Sequence, residues 1–227
     1  MTTLKSLLTP GKLVVAPGIF DGISARLAEQ LGFDVLYMTG YGAVGSALGL
    51  PDAGLASYTD MVGRVKMLTE TVSAPLVADG DTGYGGVLNV AHTGKGYERA
   101  GAAAIQIEDQ EYPKKCGHTP NKRVIDIDDW GQKIKVAAES RESDDFLIVA
   151  RTDARAVNGL DDALRRSEVA ANAGADIIFV EAPESEEEMR QICAAIDAPK
   201  LINVVEGGKT PVLPAADYAE IGYQIAI

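Results

Sequence analysis

The sequence predicts an α/β protein with a (β/α)₈ TIM-barrel fold, and three observations support that prediction. Short apolar runs alternate with amphipathic stretches along all 227 residues, which is typical of repeated β-α units around a parallel sheet. The apolar runs number eight, as a closed barrel of this kind requires. Polar residues stand where the runs end, and barrel active sites lie at the carboxyl ends of the strands.

The strand predictions follow the apolar runs in chain order. Each run is short enough for a strand and is followed by a stretch with helical spacing of its apolar residues. The eight predicted strands cover residues 13–21, 33–40, 75–81, 102–109, 146–153, 175–182, 199–206 and 222–227.

The helix predictions fill the intervals between the strands. Ser57 with Asp60, and Ser185 with Glu188, have the spacing of a capping box at a helix start. Four glycines stand between a helical stretch and the next strand, where a left-handed residue commonly ends a helix. These glycines are Gly32, Gly101, Gly174 and Gly222. The seven predicted helices cover residues 23–31, 59–72, 89–100, 128–141, 160–173, 186–196 and 215–221.

A single domain over residues 1–227 is the simplest organisation, because no linker or low-complexity tract divides the chain. An open doubly wound sheet would have the same element order and is the alternative fold. The sequence ends at Ile227, directly after the eighth predicted strand. Barrels of this kind usually run to about 250 residues with a closing helix, so we expect a barrel that lacks its eighth helix.

The composition argues against several classes of function. The net charge is −12 with no basic stripe, which disfavours nucleic acid and anionic membrane surfaces as partners. No apolar run approaches the roughly 20 residues of a membrane span, and Pro10 and Gly11 interrupt the opening segment where a secretory signal would continue. Only Cys116 and Cys193 are present, which suggests free thiols in a reducing compartment. These features predict a cytoplasmic protein.

Acidic residues at the strand ends indicate a metal site. The segment VADGDTGYGG places Asp79 and Asp81 two residues apart, and in an extended chain such residues point to the same side. Carboxylates around one barrel mouth repel each other unless a cation lies among them. Oxygen ligands without a nearby histidine suit Mg²⁺, with Mn²⁺ possible. The alternative for each acid is a helix cap or a solvated loop end.

The segment EYPKKCGHTPNK, residues 111–122, reads as a lid over the mouth. It follows the fourth predicted strand and places Cys116 beside Lys114 and His118, an electropositive setting that tunes thiol acidity. A proton-donating thiol is favoured over a nucleophile, because the other histidine, His92, lies on a predicted helix. By contrast, Cys193 shares an apolar helical face and is predicted to be a core residue.

The motifs of the mouth and lid resemble a known superfamily. The segments LYMTG, SALGLPD, VADGDTGYGG, IEDQ, KKCGHTPNK, ARTDA, VEAP and EGGKTP occur in this order over nearly the whole chain. They resemble the isocitrate lyase and phosphoenolpyruvate mutase superfamily, in the lyase branch that contains methylisocitrate lyases, 2,3-dimethylmalate lyases and petal death protein. The phosphonomutases of this superfamily lack the loop cysteine, so Cys116 favours carbon–carbon cleavage.

The resemblance implies roles for individual residues. For the metal, it implies that Asp79 binds Mg²⁺ and that Asp81, Glu108 and Asp52 hold its waters. For the substrate, it implies contacts from Thr39, Gly40, Tyr41, Gly117, Arg151, Glu181 and Asn203. The implied catalytic residues are Cys116, Tyr37, Lys114 and His118. The candidates for the base that removes the hydroxyl proton are Tyr37 and a metal-bound hydroxide. Members of the family are tetramers that exchange a helix, so a homo-oligomer is expected.

The function that this resemblance implies is Mg²⁺-dependent cleavage of a small anionic carboxylate. The expected substrate is a 2-hydroxy di- or tricarboxylate of the 2-alkylmalate or methylisocitrate type, cleaved to a 2-oxo acid and a carboxylate. Methylisocitrate lyases have His at the position of Gln106, a departure that bears on the substrate. The alternatives are an oxaloacetate hydrolase or decarboxylase, a phosphonomutase-type enzyme, and a non-catalytic truncated barrel.

Overall fold

The strands of the described residues lie in one parallel sheet. A computed structural model describes residues 3–117 and 119–227, and every strand pairing in it is parallel. The strands are β1 (Val14–Val15), β2 (Gly18–Ile19), β3 (Leu36–Met38), β4 (Leu76–Asp79), β5 (Ala104–Glu108), β6 (Leu147–Thr152), β7 (Ile177–Val180), β8 (Lys200–Ile202) and β9 (Ile225–Ala226).

The sheet closes on itself through the first predicted strand. This strand is divided, because its first half, β1, pairs with β9 and its second half, β2, pairs with β3. Between the halves, the Ala16 amide donates to the Ala226 carbonyl and the Tyr37 amide donates to the Pro17 carbonyl. Pro17 has no amide hydrogen to donate, which fits the change of partner at this point. The barrel prediction is confirmed.

The described residues contain the seven predicted helices, together with three that were not predicted. The predicted ones are α2 (Gly22–Gln30), α4 (Tyr58–Thr71), α5 (Val87–Arg99), α6 (Ile127–Ser140), α8 (Leu160–Asn172), α9 (Glu186–Ala195) and α10 (Ala215–Ile221). The others are α1 (Leu4–Leu7), α3 (Gly40–Leu48) and α7 (Ala154–Asn158).

The helix ends largely follow the predicted signals. All four predicted glycines have positive φ. Ser57 and Asp60 form the reciprocal capping box. Ser185 accepts from the Glu188 amide as predicted, but the Glu188 carboxylate binds Arg155 and the Glu184 amide instead of closing the box. The second capping box is therefore only half formed.

Apolar packing separates the barrel interior from the helix layer. One buried cluster fills the interior and includes Val77, Leu147 and Phe179, with Leu4 of α1 packed among residues from the strand starts. Another lies between the sheet and the helices and includes Trp130. The interior is packed by the first of these clusters. The carboxyl ends of the strands surround an open cavity. Among the described residues, no helix has the length and apolarity needed to cross a membrane.

Candidate active site at the barrel mouth

A cavity of about 450 Å³ opens at the carboxyl ends of the strands. Ten of the predicted site residues line it: Tyr37, Thr39, Tyr41, Asp52, Asp79, Lys114, Cys116, Gly117, Arg151 and Asn203. Three more, Asp81, Glu108 and Glu181, are buried and contact these residues. A larger cavity of about 610 Å³ lies beside α4 and α5, and no predicted site residue lines it. His118 was also predicted, but it lies outside the described residues.

Lys114 of the lid segment reaches into a cluster of acids. Its Nζ lies 2.5 Å from Asp52 Oδ1 and 2.7 Å from Asp81 Oδ1, and all three side chains are buried. Burial lowers the pKa of Lys114, but the surrounding carboxylates, Glu108 foremost, more than offset this and raise it. For Asp81, burial outweighs the attraction of Lys114 and raises the pKa to about 6. The lid is therefore tied to the mouth by a charged amine.

The geometry of Asp79 and Asp81 differs from the prediction. Asp79 ends β4, but Asp81 has a left-handed φ of 49°, so the two residues do not share one extended strand. The chain turns because the Gly80 amide donates to the Gln106 carbonyl at 2.8 Å, and the Asp81 amide donates to Asp79 Oδ1 at 3.0 Å. A Cβ at position 80 would lie 2.8 Å from that carbonyl, which explains the glycine.

Arg151 forms the centre of a second charged cluster. Its Nε lies 2.9 Å from Asp153 Oδ2 and 3.4 Å from Glu108 Oε2, and its Nη2 lies 3.2 Å from Glu181 Oε2. Asn203 donates to the other oxygen of Glu181 at 3.4 Å. Burial raises the pKa of Asp153, but Arg151 and Lys122 more than compensate and hold it below its usual value. The guanidinium is thus fixed in orientation at the cavity wall.

The mouth carries more negative than positive side chains. Its buried carboxylates are Asp52, Asp79, Asp81, Glu108, Asp153 and Glu181, and its cations are Lys114, Lys122 and Arg151. Neither oxygen of Glu108 accepts a hydrogen bond from the described part of the chain, and burial raises its pKa well above the usual value in spite of Arg151 at 3.4 Å. Such a buried acid is stabilised by a further cation or by a proton.

The predicted metal residues fit a hard divalent ion only in part. Over residues 3–117 and 119–227, no three His, Cys, Asp or Glu side chains are gathered ready to hold a metal, because the Lys114 amine lies between Asp52 and Asp81. Asp79 is better placed. A Cβ at Gly40 would collide with Asp79 Oδ2, so only glycine leaves room beside that oxygen. Mg²⁺ takes one or two carboxylates directly and keeps waters, which this donor set can supply.

Gln106 connects the two sides of the mouth and was not among the predicted site residues. The Tyr37 hydroxyl donates to Gln106 Oε1 at 3.0 Å, and Gln106 Nε2 donates to Asp79 Oδ1 at 3.2 Å. Burial and the charge of Asp79 raise the pKa of Tyr37 well above its usual value, so Tyr37 is a hydrogen-bond donor. The available signals were one amide inside the apolar run AAAIQIED and the departure from the methylisocitrate lyases at this position.

The two cysteines lie in different surroundings. Cys116 lines the mouth cavity, with Gly117 next to it. Cys193 packs against the apolar cluster that contains Met189 and Tyr223, and burial raises the pKa of its thiol to about 11. The prediction that Cys193 belongs to an apolar face is therefore confirmed, although its side chain is only partly buried at the edge of the core.

Comparison with known proteins identifies the family of the chain. The family model described as phosphoenolpyruvate phosphomutase matches residues 4–227. The chain is 48% identical to 2,3-dimethylmalate lyase of Eubacterium barkeri, over 99% of this chain and 78% of the relative. It is 45% identical to 2-methylisocitrate lyase of Aeropyrum pernix, over 99% of this chain and 72% of that protein.

Solved structures agree with the sequence comparisons. Oxaloacetate acetylhydrolase in complex with 3,3-difluorooxalacetate superposes with a TM-score of 0.95 at 38% identity, over 99% of this chain and 77% of that one. Phosphonopyruvate hydrolase in complex with oxalate and Mg²⁺ gives a TM-score of 0.86 at 31% identity, over 98% and 77% of the two chains. On the family match, the identities and the fold, this chain belongs to the PEP mutase/isocitrate lyase superfamily.

Proposed function

We propose that the chain is a Mg²⁺-dependent carbon–carbon lyase that cleaves a 2-hydroxy di- or tricarboxylate to a 2-oxo acid and a carboxylate. The observation that carries the proposal is the mouth cavity, which is lined by a thiol, Cys116, together with Arg151 and Asp79. A thiol that can give a proton, a guanidinium that can bind a carboxylate and an acid that can hold a metal are the groups this cleavage requires. The lyase names of two relatives support the reaction class.

Substrate binding relies on groups that already face the cavity. Arg151 and the amide of Asn203 can each donate to a substrate carboxylate, and both line the cavity. The amides that follow Thr39 open helix α3, and exposed amides at a helix start favour an anion. The acids of the mouth would repel such a substrate, so a divalent cation is needed for anion binding.

The metal would be held by Asp79, with Asp52, Asp81 and Glu108 reached through water. A bound divalent cation lowers the pKa of a coordinated hydroxyl and balances the charge of a carboxylate. For direct access to Asp52 and Asp81, Lys114 has to withdraw from between them. While Lys114 holds Asp52 and Asp81, the metal would therefore meet these two carboxylates only through water.

The proposed bond cleavage begins at the 2-hydroxyl group of the substrate and ends with proton donation by Cys116. Loss of the 2-hydroxyl proton to a base lets the oxygen electrons form the carbonyl of the 2-oxo acid. The carbon–carbon bond breaks, and its electrons pass to the departing carbon as an enolate. Cys116 then donates its proton to that carbon, and the thiolate regains a proton from solvent. The Tyr37 hydroxyl donates to Gln106, so Tyr37 orients groups of the site instead of serving as the base.

The experiment is Mg²⁺-dependent release of 2-oxo acid from a panel of 2-alkylmalates, isocitrate and methylisocitrate. We expect chelator to abolish turnover and Mg²⁺ or Mn²⁺ to restore it. Asp79→Ala should lower kcat/KM by at least about a hundredfold, since it removes the proposed direct ligand. Asp144→Ala, at an exposed position, is the matched control and should behave as the parent.

Oxaloacetate belongs in the same panel. The match to oxaloacetate acetylhydrolase favours it as the second candidate substrate, and oxalate and acetate would then be the products. Full activity in excess chelator would refute the metal requirement. Turnover of oxaloacetate alone would replace the lyase proposal, and an inert protein with the whole panel would refute both.

A further inference from the structure

A buried lysine at the end of the lid segment contacts the backbone next to the catalytic thiol. Lys122 Nζ donates to the carbonyl of Gly117 and lies 2.5 Å from Asp153 Oδ1. Both side chains are almost completely buried. Gly117 itself packs on the mouth, because a Cβ there would lie 2.5 Å from Arg151 Nη2 and 2.8 Å from Glu181 Oε2. The amine therefore reaches back five residues to hold the segment that carries Cys116.

The same Asp153 also holds Arg151. Its Oδ2 accepts from Arg151 Nε at 2.9 Å, and its Oδ1 accepts from Arg151 Nη2 at 3.2 Å. Asp109 fixes Asp153 from behind, since Asp109 Oδ1 accepts from the Asp153 amide at 2.8 Å. One carboxylate thus joins the lid, through Lys122, to the guanidinium on the cavity wall.

Hydrogen bonds that do not involve Lys122 hold the first half of the lid. The Tyr112 hydroxyl donates to the Gly54 carbonyl, and the Lys115 amide donates to Gln110 Oε1 at 3.0 Å. In the portion of the chain that the structure describes, Lys122 is the side chain that donates to the Gly117 carbonyl. Its removal should release residues 116 and 117 and leave the preceding residues in place.

We propose that Lys122 is a positioning residue that fixes Cys116 and Gly117 over the mouth and couples their position to Arg151 through Asp153. The proposal rests on the proposed lyase function for its catalytic consequence, but the position of the lid is a separate property. Loss of the amine leaves Asp153 paired with Arg151, so the buried carboxylate keeps a cationic partner and the barrel should still fold. What is lost is the link that runs from Gly117 through Lys122 and Asp153 to Arg151.

The test uses alkylation of Cys116 by iodoacetamide in a Cys193→Ser background, where one thiol is left. Lys122→Met should speed alkylation by about tenfold or more, because local opening of the lid exposes the thiol. Where a substrate is turned over, kcat should fall by about a hundredfold with KM changed much less, as expected for misplacement of reacting groups. Lys200→Met is the matched control, since Lys200 also donates to a backbone carbonyl but lies at the start of β8.

Each outcome decides the proposal. The fluorescence of Trp130, the single tryptophan, reports whether each variant is folded. If Lys122→Met does not fold, Lys122→Gln takes its place with the same expected direction. Parental alkylation in a folded variant would overturn the proposal, and so would failure of both variants to fold, which would make Lys122 a residue of the core. Because alkylation needs no substrate, absence of lyase activity in the parent would refute the proposed function and leave this test intact.

Discussion

The ion pairs of the barrel mouth and those of the outer helices use the same residue types in different surroundings. At the mouth, Lys114 and Asp52 are buried to within a few per cent and lie 2.5 Å apart. On α4, the Lys66 and Glu70 side chains are each 67% exposed and lie 3.9 Å apart. Solvated pairs contribute little to stability, whereas buried charges cost free energy to desolvate. Charges kept at that cost are better explained by chemistry at the mouth than by stability.

The comparison predicts that substitutions at the mouth reduce activity and that those in the helix layer reduce stability. The charged residues at the mouth surround a cavity, while the helix layer packs against a continuous apolar cluster. Each prediction below tests one side of this division.

The two thiols should show the largest contrast. Cys116→Ser should lower kcat by about a hundredfold to ten-thousandfold with little change in KM, because a proton donor acts mainly in the transition state. Cys193→Ser makes the same atomic change in the helix layer and should leave kcat within about twofold while costing roughly 1 kcal/mol of stability. Steady-state kinetics and denaturant unfolding of both variants measure this. Equal kinetic effects would show that Cys116 has no special role.

A core substitution should show the opposite pattern. Ile134 of α6 is fully buried between the sheet and the helices. Ile134→Ala should lower the free energy of unfolding by about 2–5 kcal/mol, and Ile134→Val by about 0.5–1.5 kcal/mol. The kinetic constants of the folded fraction should be unchanged. A loss of kcat in proportion to the loss of stability would contradict the expectation that residues of the mouth determine activity and residues of the core determine stability.

The sequence predicted the framework better than the contacts across the mouth. Strands and helices follow local periodicity, so the predicted elements are present. Helix α3 was missed because three glycines in GYGAVGSAL weaken the helical signal. Asp52 lies in a loop, and only the family resemblance identified it as a site residue. The bridge from Lys114 to Asp52 and Asp81 depends on how two loops fold over the mouth, and periodicity carries no information about that.

A smaller effect is expected at the start of α8. Burial raises the pKa of Asp162, but hydrogen bonds from Asn158, Arg166 and Arg165 more than offset this and lower it to about 2. A lowered pKa contributes stability that is present above the unfolded value, about 3.8, and is lost as the pH falls towards 2. Asp162→Asn should therefore cost about 1 kcal/mol at pH 7, after allowance for solvent screening.

The pH dependence distinguishes this electrostatic effect from lost packing. The difference between parent and Asp162→Asn should shrink as the pH falls below about 3.8. Asp161→Asn, at the exposed neighbouring position of the same first turn, is the control. A difference that stays constant from pH 7 to pH 3 in urea unfolding would rule out the proposed origin.

The surface ion pair on α4 should show the smallest effect on stability of all the substitutions considered. Lys66 and Glu70 stand four residues apart on the exposed face of the helix, where such pairs contribute about 0.3–0.5 kcal/mol. The single and double alanine variants of this pair form a cycle that isolates the coupling free energy. We expect about 0.3 kcal/mol or less in low salt and a loss of most of it in 1 M NaCl, where charges are screened within roughly 3 Å. A coupling above about 1 kcal/mol that survives high salt would mean that exposed ion pairs stabilise this fold. The free-energy argument that assigns the buried pairs of the mouth to function would then fail.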